Sequence, residues 1–195
     1  MPDTAPRERI LDAALRLFGR DGASAAPLRQ IGAEAGLHNS SLFHHFRGKG
    51  AIHDALAERV IDGAAAHVAT LAEEASPRLE TLSQALGDLA EHLAGRPAEA
   101  NFLASTLLSG SDSALAGARA RAETALLEPL WKWIVRARDA GEIRNVRPQA
   151  ATLQIMGLVL LEPAWGQPPG ATGMRPAARA RRRELDTWLR GSLTK

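Results

Sequence analysis

The 195-residue chain has no cysteine and no tyrosine, and only 4% of its residues are aromatic. Without thiols it forms no disulfide and offers no thiolate to a metal or a substrate. Without tyrosine it has no phenolic hydroxyl to place on a phosphate. It also lacks the basic start and apolar run of a secretory leader, and no apolar stretch reaches membrane-spanning length. The longest candidate, Ile155 to Leu161, is far too short. These absences predict a soluble, cytoplasmic protein that does not enter a membrane. Catalytic signatures are missing as well: there is no His-Glu-x-x-His, no glycine loop for phosphate and no cysteine metal pattern. His38, His44 and His45 lie close in sequence, but neighbouring helix positions point about 100° apart, which suits a shared metal poorly. Ser40 and Ser41 come with no recognisable base and acid. The expectation is a protein that is not an enzyme and uses no cofactor or metal.

What is present is helix. No alternating strand pattern and no internal repeat interrupts it, so the predicted fold class is all-α. Residues 28–50, LRQIGAEAGLHNSSLFHHFRGKG, have the spacing of a helix-turn-helix, with the motif itself at about 28–47. Ile31, Ala35, Leu37 and Leu42 supply small apolar faces on which two short helices pack steeply. Gly36 lies where the first of them must stop and the chain turn, a place that calls for left-handed backbone. The second helix, about His38 to His45, is short and polar on its outer side, with groups that hydrogen-bond base edges or phosphates. The same spacing also fits an ordinary helical hairpin.

The flanks favour the first reading. Arg7 to Gly22 forms an amphipathic helix with Ile10, Ala14, Leu17 and Phe18 on one face and Asp21-Gly22 as its stop. Another helix opens after Phe46-Arg-Gly-Lys49. This order, and the string GLHNSSLFHHF at 36–46 followed by Lys49, resembles the TetR family of transcriptional regulators over roughly residues 6 to 60. The resemblance implies a helix-turn-helix DNA-binding domain at 6–66 and a helical ligand-binding and dimerisation domain at 67–195. It implies DNA contacts from Arg29, His38, Asn39, Ser40, Ser41, Phe43, His44 and Lys49, with Lys49 on phosphate and Asn39, Ser41 and His44 on bases. Four positions depart from the family pattern. His38 stands where a capping serine is usual, and Phe43 replaces a tyrosine, so a phosphate hydrogen bond is lost. Pro27 follows Ala26 where a threonine is common. Gly32 replaces an alanine inside the helix, at about 1 kcal/mol of local stability.

Charge is divided along the chain. Residues 1–54 carry 7 basic and 6 acidic side chains, residues 55–127 carry 5 and 10, and residues 128–195 carry 12 and 6. The motif region is therefore no strong basic patch. Its affinity for double-stranded DNA would rest on Arg29, Arg47 and Lys49, with His38, His44 and His45 adding charge if protonated near phosphate. The basic run from Arg175 to Leu185 reads as a helix with arginine on its solvated side and Leu185, Trp188 and Leu189 behind.

Beyond the motif the periodicity predicts a long helix from about Gly50 to Glu74, broken by Ser76-Pro77. A second follows with the stripe Leu79, Leu82, Leu86, Leu89 and Leu93. A long helix from about Ala114 to Ala140 should kink near Glu128, because Pro129 lies inside it. A helix at 148–161, a loop from Glu162 to Arg175 and a last helix at 176–193 complete the chain. The 148–161 helix is apolar almost all round, and with the last helix it resembles the family's dimer interface, implying a homodimer on a near-palindromic operator. The resemblance also implies a pocket for a largely apolar small molecule, with His67, Phe102, Leu103 and Trp131 as candidate lining residues. The expected function is a regulator, most simply a repressor, released from its operator by that ligand. The alternative is a dimeric ligand- or protein-binding module that no longer binds an operator, to which Phe43, His38 and Pro27 point.

Overall fold

A computed structural model describes residues 5–22, 25–74, 76–108, 116–165 and 178–194. The described residues are all helical or connecting, and no helix among them is long and apolar enough to cross a membrane. Leu115, Arg175 and the chain from 166 to 177 lie outside them.

Helix α1 (Pro6–Asp21) begins with proline in its first turn, where the missing N–H costs nothing. It buries Ile10, Leu11, Ala14, Leu17 and Phe18, and ends where Gly22 turns to φ 83° and donates its N–H to the Phe18 carbonyl. Helices α2 (Leu28–Glu34) and α3 (Asn39–His45) form the motif. Helix α4 (Lys49–Val68) then runs back across the molecule and buries Ile52, Leu56, Val60, Ile61 and Ala64. The helix expected to continue to Glu74 is interrupted at Ala69 and resumes as α5 (Thr70–Glu73). Helix α6 (Leu79–Ala94) buries the predicted leucine stripe except Leu79, which is half-buried, and α7 (Pro97–Leu108) follows.

The predicted helix around Pro129 is present, but its distortion is upstream of the proline. It consists of α8 (Ala116–Ala122), a π-turn (Glu123–Leu127) and α9 (Glu128–Asp139). Pro129 has no N–H, and its ring excludes the carbonyl four residues earlier. The chain widens by one residue instead, so that the Glu128 N–H reaches the Glu123 carbonyl. Helix α10 (Pro148–Trp165) runs four residues past its expected end into the segment expected to be loop, and α11 (Ala178–Leu193) is the last element.

One continuous apolar core extends from Ile10 to Leu193. The motif helices join it through α1, which packs on α7. At the crossing a Cβ on Gly19 would come within 2.9 Å of the Ala98 carbonyl oxygen, and Asn101 Nδ2 donates to the Gly19 carbonyl at 2.9 Å. His53 of α4 is buried between the rings of Phe18 and Phe102, with centroids 5.9 and 5.1 Å away. At the other end, the basic α11 faces the acidic α6. Arg182 bonds Asp88 at 2.6 Å, Arg190 lies 3.5 Å from Glu80, and Ser83 donates to Asp186 at 2.7 Å. The arginines expected on a solvated side are thus partly used to seat the helix.

Glu74 ties three elements together. Its carboxylate, 10% exposed, accepts from Thr81 Oγ1 at 2.6 Å, Trp133 Nε1 at 2.9 Å and Arg78 Nε at 3.5 Å. Burial alone would raise its pKa; the hydrogen bonds from Thr81, Trp133 and Arg78 outweigh burial and hold it below the ordinary glutamate value. A carboxyl depressed in the fold stabilises it above the unfolded pKa, and that stability is lost as pH falls through the folded value. Glu74→Gln should cost about 1–3 kcal/mol near neutrality. In urea titrations between about pH 6 and about pH 3, the gap between wild type and Glu74→Gln should close on acidification; a constant gap would remove the charge from this role.

Candidate nucleic-acid interface

The turn of the motif is built by backbone hydrogen bonds. Gly36 takes φ 67°, its N–H donates to the Ala33 carbonyl at 3.0 Å, and the Leu37 N–H reaches back to the Gly32 carbonyl at 2.9 Å. This pair is a Schellman stop, which needs a left-handed residue at the glycine position. Ahead of α2, Pro27 is extended and lends its carbonyl to the N–H groups of Gln30 and Ile31. The proline that departs from the family pattern therefore leaves the helix start intact. His38, expected to open the helix, is instead the N-cap of α3, one residue before its first turn, and its side chain makes no capping bond.

Two side chains hold α3 in place from beneath. Leu42 is fully buried and Phe46 nearly so, and the Arg7 guanidinium lies 5.2 Å from the centre of the Phe46 ring. The helix is further steadied through α1, where Arg16 pairs with Glu34 of α2 at 3.1 Å. Arg59 of α4 pairs with both Glu8 and Asp12 of α1, at 3.0 and 2.9 Å.

The opposite side of α3 is open. His38, Ser40, Phe43, His44, His45 and Arg47 are exposed, and Ser41 is half-buried. Helical geometry puts Ser40, Phe43 and His44 together, about 200° round from the buried Leu42 for Ser40. Phe43 is 54% exposed, an apolar ring on a polar face. Arg29 on α2 is exposed, and Lys49 at the start of α4 is half-buried. Asn39 opens the helix; its side chain lies outside the described part. The predicted DNA-contacting residues thus fall on α2, α3 and the first residue of α4, around the exposed face of α3. Arg7, which braces Phe46, carried no signal in the sequence because 39 positions separate the two.

The four candidate ligand residues do not meet. Phe102 and Leu103 are buried in the core, Phe102 against His53. His67 stacks against His92, ring centres 4.8 Å apart, and His92 pairs with Glu99 at 3.1 Å. Burial first, and then the neighbouring His92, push the His67 pKa down. Trp131 is 36% exposed on α9, beside Leu127 and Leu153, whereas Trp133 faces the core. An apolar cavity does exist elsewhere, between α7, the π-turn and α10.

Comparison with known proteins agrees with this geometry. Residues 10–56 match the family described as bacterial regulatory proteins, tetR family. The chain is 46% identical over 43 residues to the HTH-type transcriptional regulator SrpR of Pseudomonas putida, a stretch covering 22% of this chain and 20% of that protein. The chain thus matches only about a fifth of that relative's length. Similarity of fold extends much further. The ketosteroid transcriptional regulator KstR2 of Mycobacterium tuberculosis superimposes with a TM-score of 0.78 at 20% identity, covering 100% of this chain and 97% of that one. AibR, solved in complex with isovaleryl coenzyme A and operator DNA, gives 0.75 at 20% identity, covering 93% and 96%.

Because the Phe43 ring is exposed and outside the buried core, Phe43→Ala should change unfolding free energy by less than about 0.5 kcal/mol. Leu42→Ala, beneath the same helix, should cost about 2–5 kcal/mol. Thermal unfolding of the two variants checks this contrast, and a large loss in Phe43→Ala would show that the ring is structural.

Proposed function

Because residues 10–56 match the tetR family of bacterial regulatory proteins, we propose that the chain is a regulator of this type that binds a near-palindromic operator as a homodimer and is released by a small molecule. The observation that carries this is the exposed face of α3. Ser40, Phe43 and His44 stand outward on a helix locked by Leu42, Phe46 and the Gly36 turn. In this reading Asn39, Ser41 and His44 read base edges, and Arg29, His38, Ser40 and Lys49 serve the backbone. Phe43 makes an apolar contact with sugar or a thymine methyl. Repression is the simplest outcome, and the cytoplasm the compartment where DNA is met.

Two recognition helices must reach half-sites about one helical turn apart, which a dimer provides. Support comes from α10, whose outward face leaves Leu153, Leu158 and Leu161 at 65%, 41% and 40% exposure. Half of the six large exposed hydrophobics among the described residues sit on this one helix. Trp188 of α11 is half-buried beside Ala150 and Gln154 of the same helix. A second copy joined through α10 and α11 would cover this surface. The division into a DNA-binding unit at 6–66 and a ligand-binding and dimerisation unit at 67–195 follows the same logic, with α4 shared between them. AibR, crystallised with both an acyl-coenzyme A and operator DNA, supports a small-molecule signal here.

Selection of bound sequences from random duplex DNA at about 0.1 M salt tests the reading. Enrichment of a two-fold symmetric site is the expected result. No enrichment by a folded dimer would move the function to a ligand- or protein-binding module. On the selected site, Lys49→Ala should weaken binding for all sequences and flatten the salt dependence by about one unit per subunit. An unchanged slope would remove Lys49 from the phosphate contact.

A further inference from the structure

His92 of α6 rests on α4 at two places one turn apart. A Cβ on Gly63 would lie 3.9 Å from its Cε1 and Nε2, and its ring centre is 4.8 Å from that of His67. Both nitrogens of the ring are engaged: Nε2 lies 3.1 Å from Glu99 Oε2 on α7, and Nδ1 lies 3.2 Å from Arg96 Nη1. A guanidinium donates and cannot accept, and an ionised carboxylate accepts and cannot donate. These partners therefore fix the tautomer: Nε2–H donates to Glu99, and Nδ1 accepts from Arg96. The imidazole in this arrangement is neutral and has no free nitrogen for a second proton. A proton on Nδ1 would face the Arg96 N–H and expel that guanidinium, which also donates to the His92 carbonyl at 3.2 Å.

We propose that His92 and His67 form a proton-sensitive latch, which holds the end of α4 on α6 near neutrality and lets it go when acid charges the rings. His67 stands in the last turn of α4, two residues before the interruption at Ala69. The piece beyond, α5, is held separately, since Arg136 Nη2 donates to the Leu71 carbonyl at 2.6 Å and Glu74 accepts from Trp133. The end of α4 can therefore part from α6 while α5 stays on α9. The surrounding charges leave little to compensate a proton. On α6, Asp88 is bonded to Arg182 of α11 at 2.6 Å, with Glu91 3.8 Å from the same guanidinium. Glu99 of α7 is shared between His92 and Arg96, whose Nε is 3.7 Å away. From α8, Arg121 reaches Asp62 of α4 at 2.8 Å. Two charged rings at stacking distance would repel each other, and Arg96 besides. Burial, and next His92, already lower the His67 pKa, with Asp88 pulling the other way. A histidine lowered in the fold stabilises it above the ordinary histidine value, and that stability falls away as pH drops from there to the folded value. The latch makes the chain responsive to pH and requires neither DNA nor a small molecule.

Hydrogen–deuterium exchange of the full chain at about pH 7.5 and about pH 5.5, with a chelator present and each rate corrected for its intrinsic pH dependence, tests the latch. Amides of residues 64–69 are expected to lose protection by about fivefold or more at the lower pH, while those of α1 keep theirs. His92→Gln keeps both bonds, since an amide can donate to Glu99 and accept from Arg96, and it takes no proton. The double variant His67→Gln, His92→Gln should therefore show equal protection at the two pH values. If it does not fold, nitrogen NMR of the wild-type imidazoles decides. At about pH 7.5 His92 should be the Nε2–H tautomer, and His67 should take its proton only below the ordinary histidine value. Unchanged wild-type protection, an acid loss shared equally by α1, the same loss in the folded double variant, or His92 found as the Nδ1–H tautomer would overturn the assignment.

Discussion

The close crossing of α1 and α7 is the constraint on which the rest depends. Gly19 has no Cβ, so the backbone of α7 at Ala98 approaches within contact distance, and Asn101 closes the joint by donating to the Gly19 carbonyl. Beside it, His53 fills the space between Phe18 and Phe102. A motif of three short helices buries too little surface to stand rigidly by itself. Here its first helix is pressed against α7, within the one continuous core. Helix α3 is therefore carried on a continuous packed body.

Polar contacts place the helices around this joint. Surface ion pairs are individually weak, commonly below about 1 kcal/mol. Their arrangement is more informative than their energy. Arg59 binds α4 to α1, Arg121 binds α8 to α4, and Arg182 and Arg190 bind α11 to α6. The acidic middle of the chain and its basic carboxy-terminal third partly neutralise each other across α6 and α11. Glu74 is different in kind. Largely covered and bonded to Thr81, Trp133 and Arg78, it connects the end of α5 to α6 and α9.

Much of the fold was legible because helices carry their own instructions. The Leu82–Leu93 stripe, the glycine stops at Gly22 and Gly36, and Pro77 after α5 all act within a few residues of themselves, and the structure places each as the periodicity implied. The breaks at Ala69 and at the π-turn were less legible. Ala69 has no helix-breaking chemistry, and Pro129 announces a distortion without saying which side of it will yield. The exposed face of α3 was legible for the same reason as the helices, since Leu42 and Phe46 could only point inward. The pocket was not. Phe102, Leu103, His67 and Trp131 share apolar spacing with the cavity-lining residues, and spacing along one helix does not tell which neighbour covers it.

By itself the sequence determined the helical class, the motif and its turn, and the chemistry displayed on the recognition helix. These follow from periodicity, from the backbone freedom of Gly36 and from side-chain identity, all of which are local. Tertiary structure alone decided that α1 meets α7 at Gly19, that Arg121 finds Asp62, that Glu74 gathers Thr81 and Trp133, and that Gly157 looks into open space. Each of these joins residues far apart in the chain or depends on a neighbour's absence. Their energies come from distance and burial, which the order of residues does not contain.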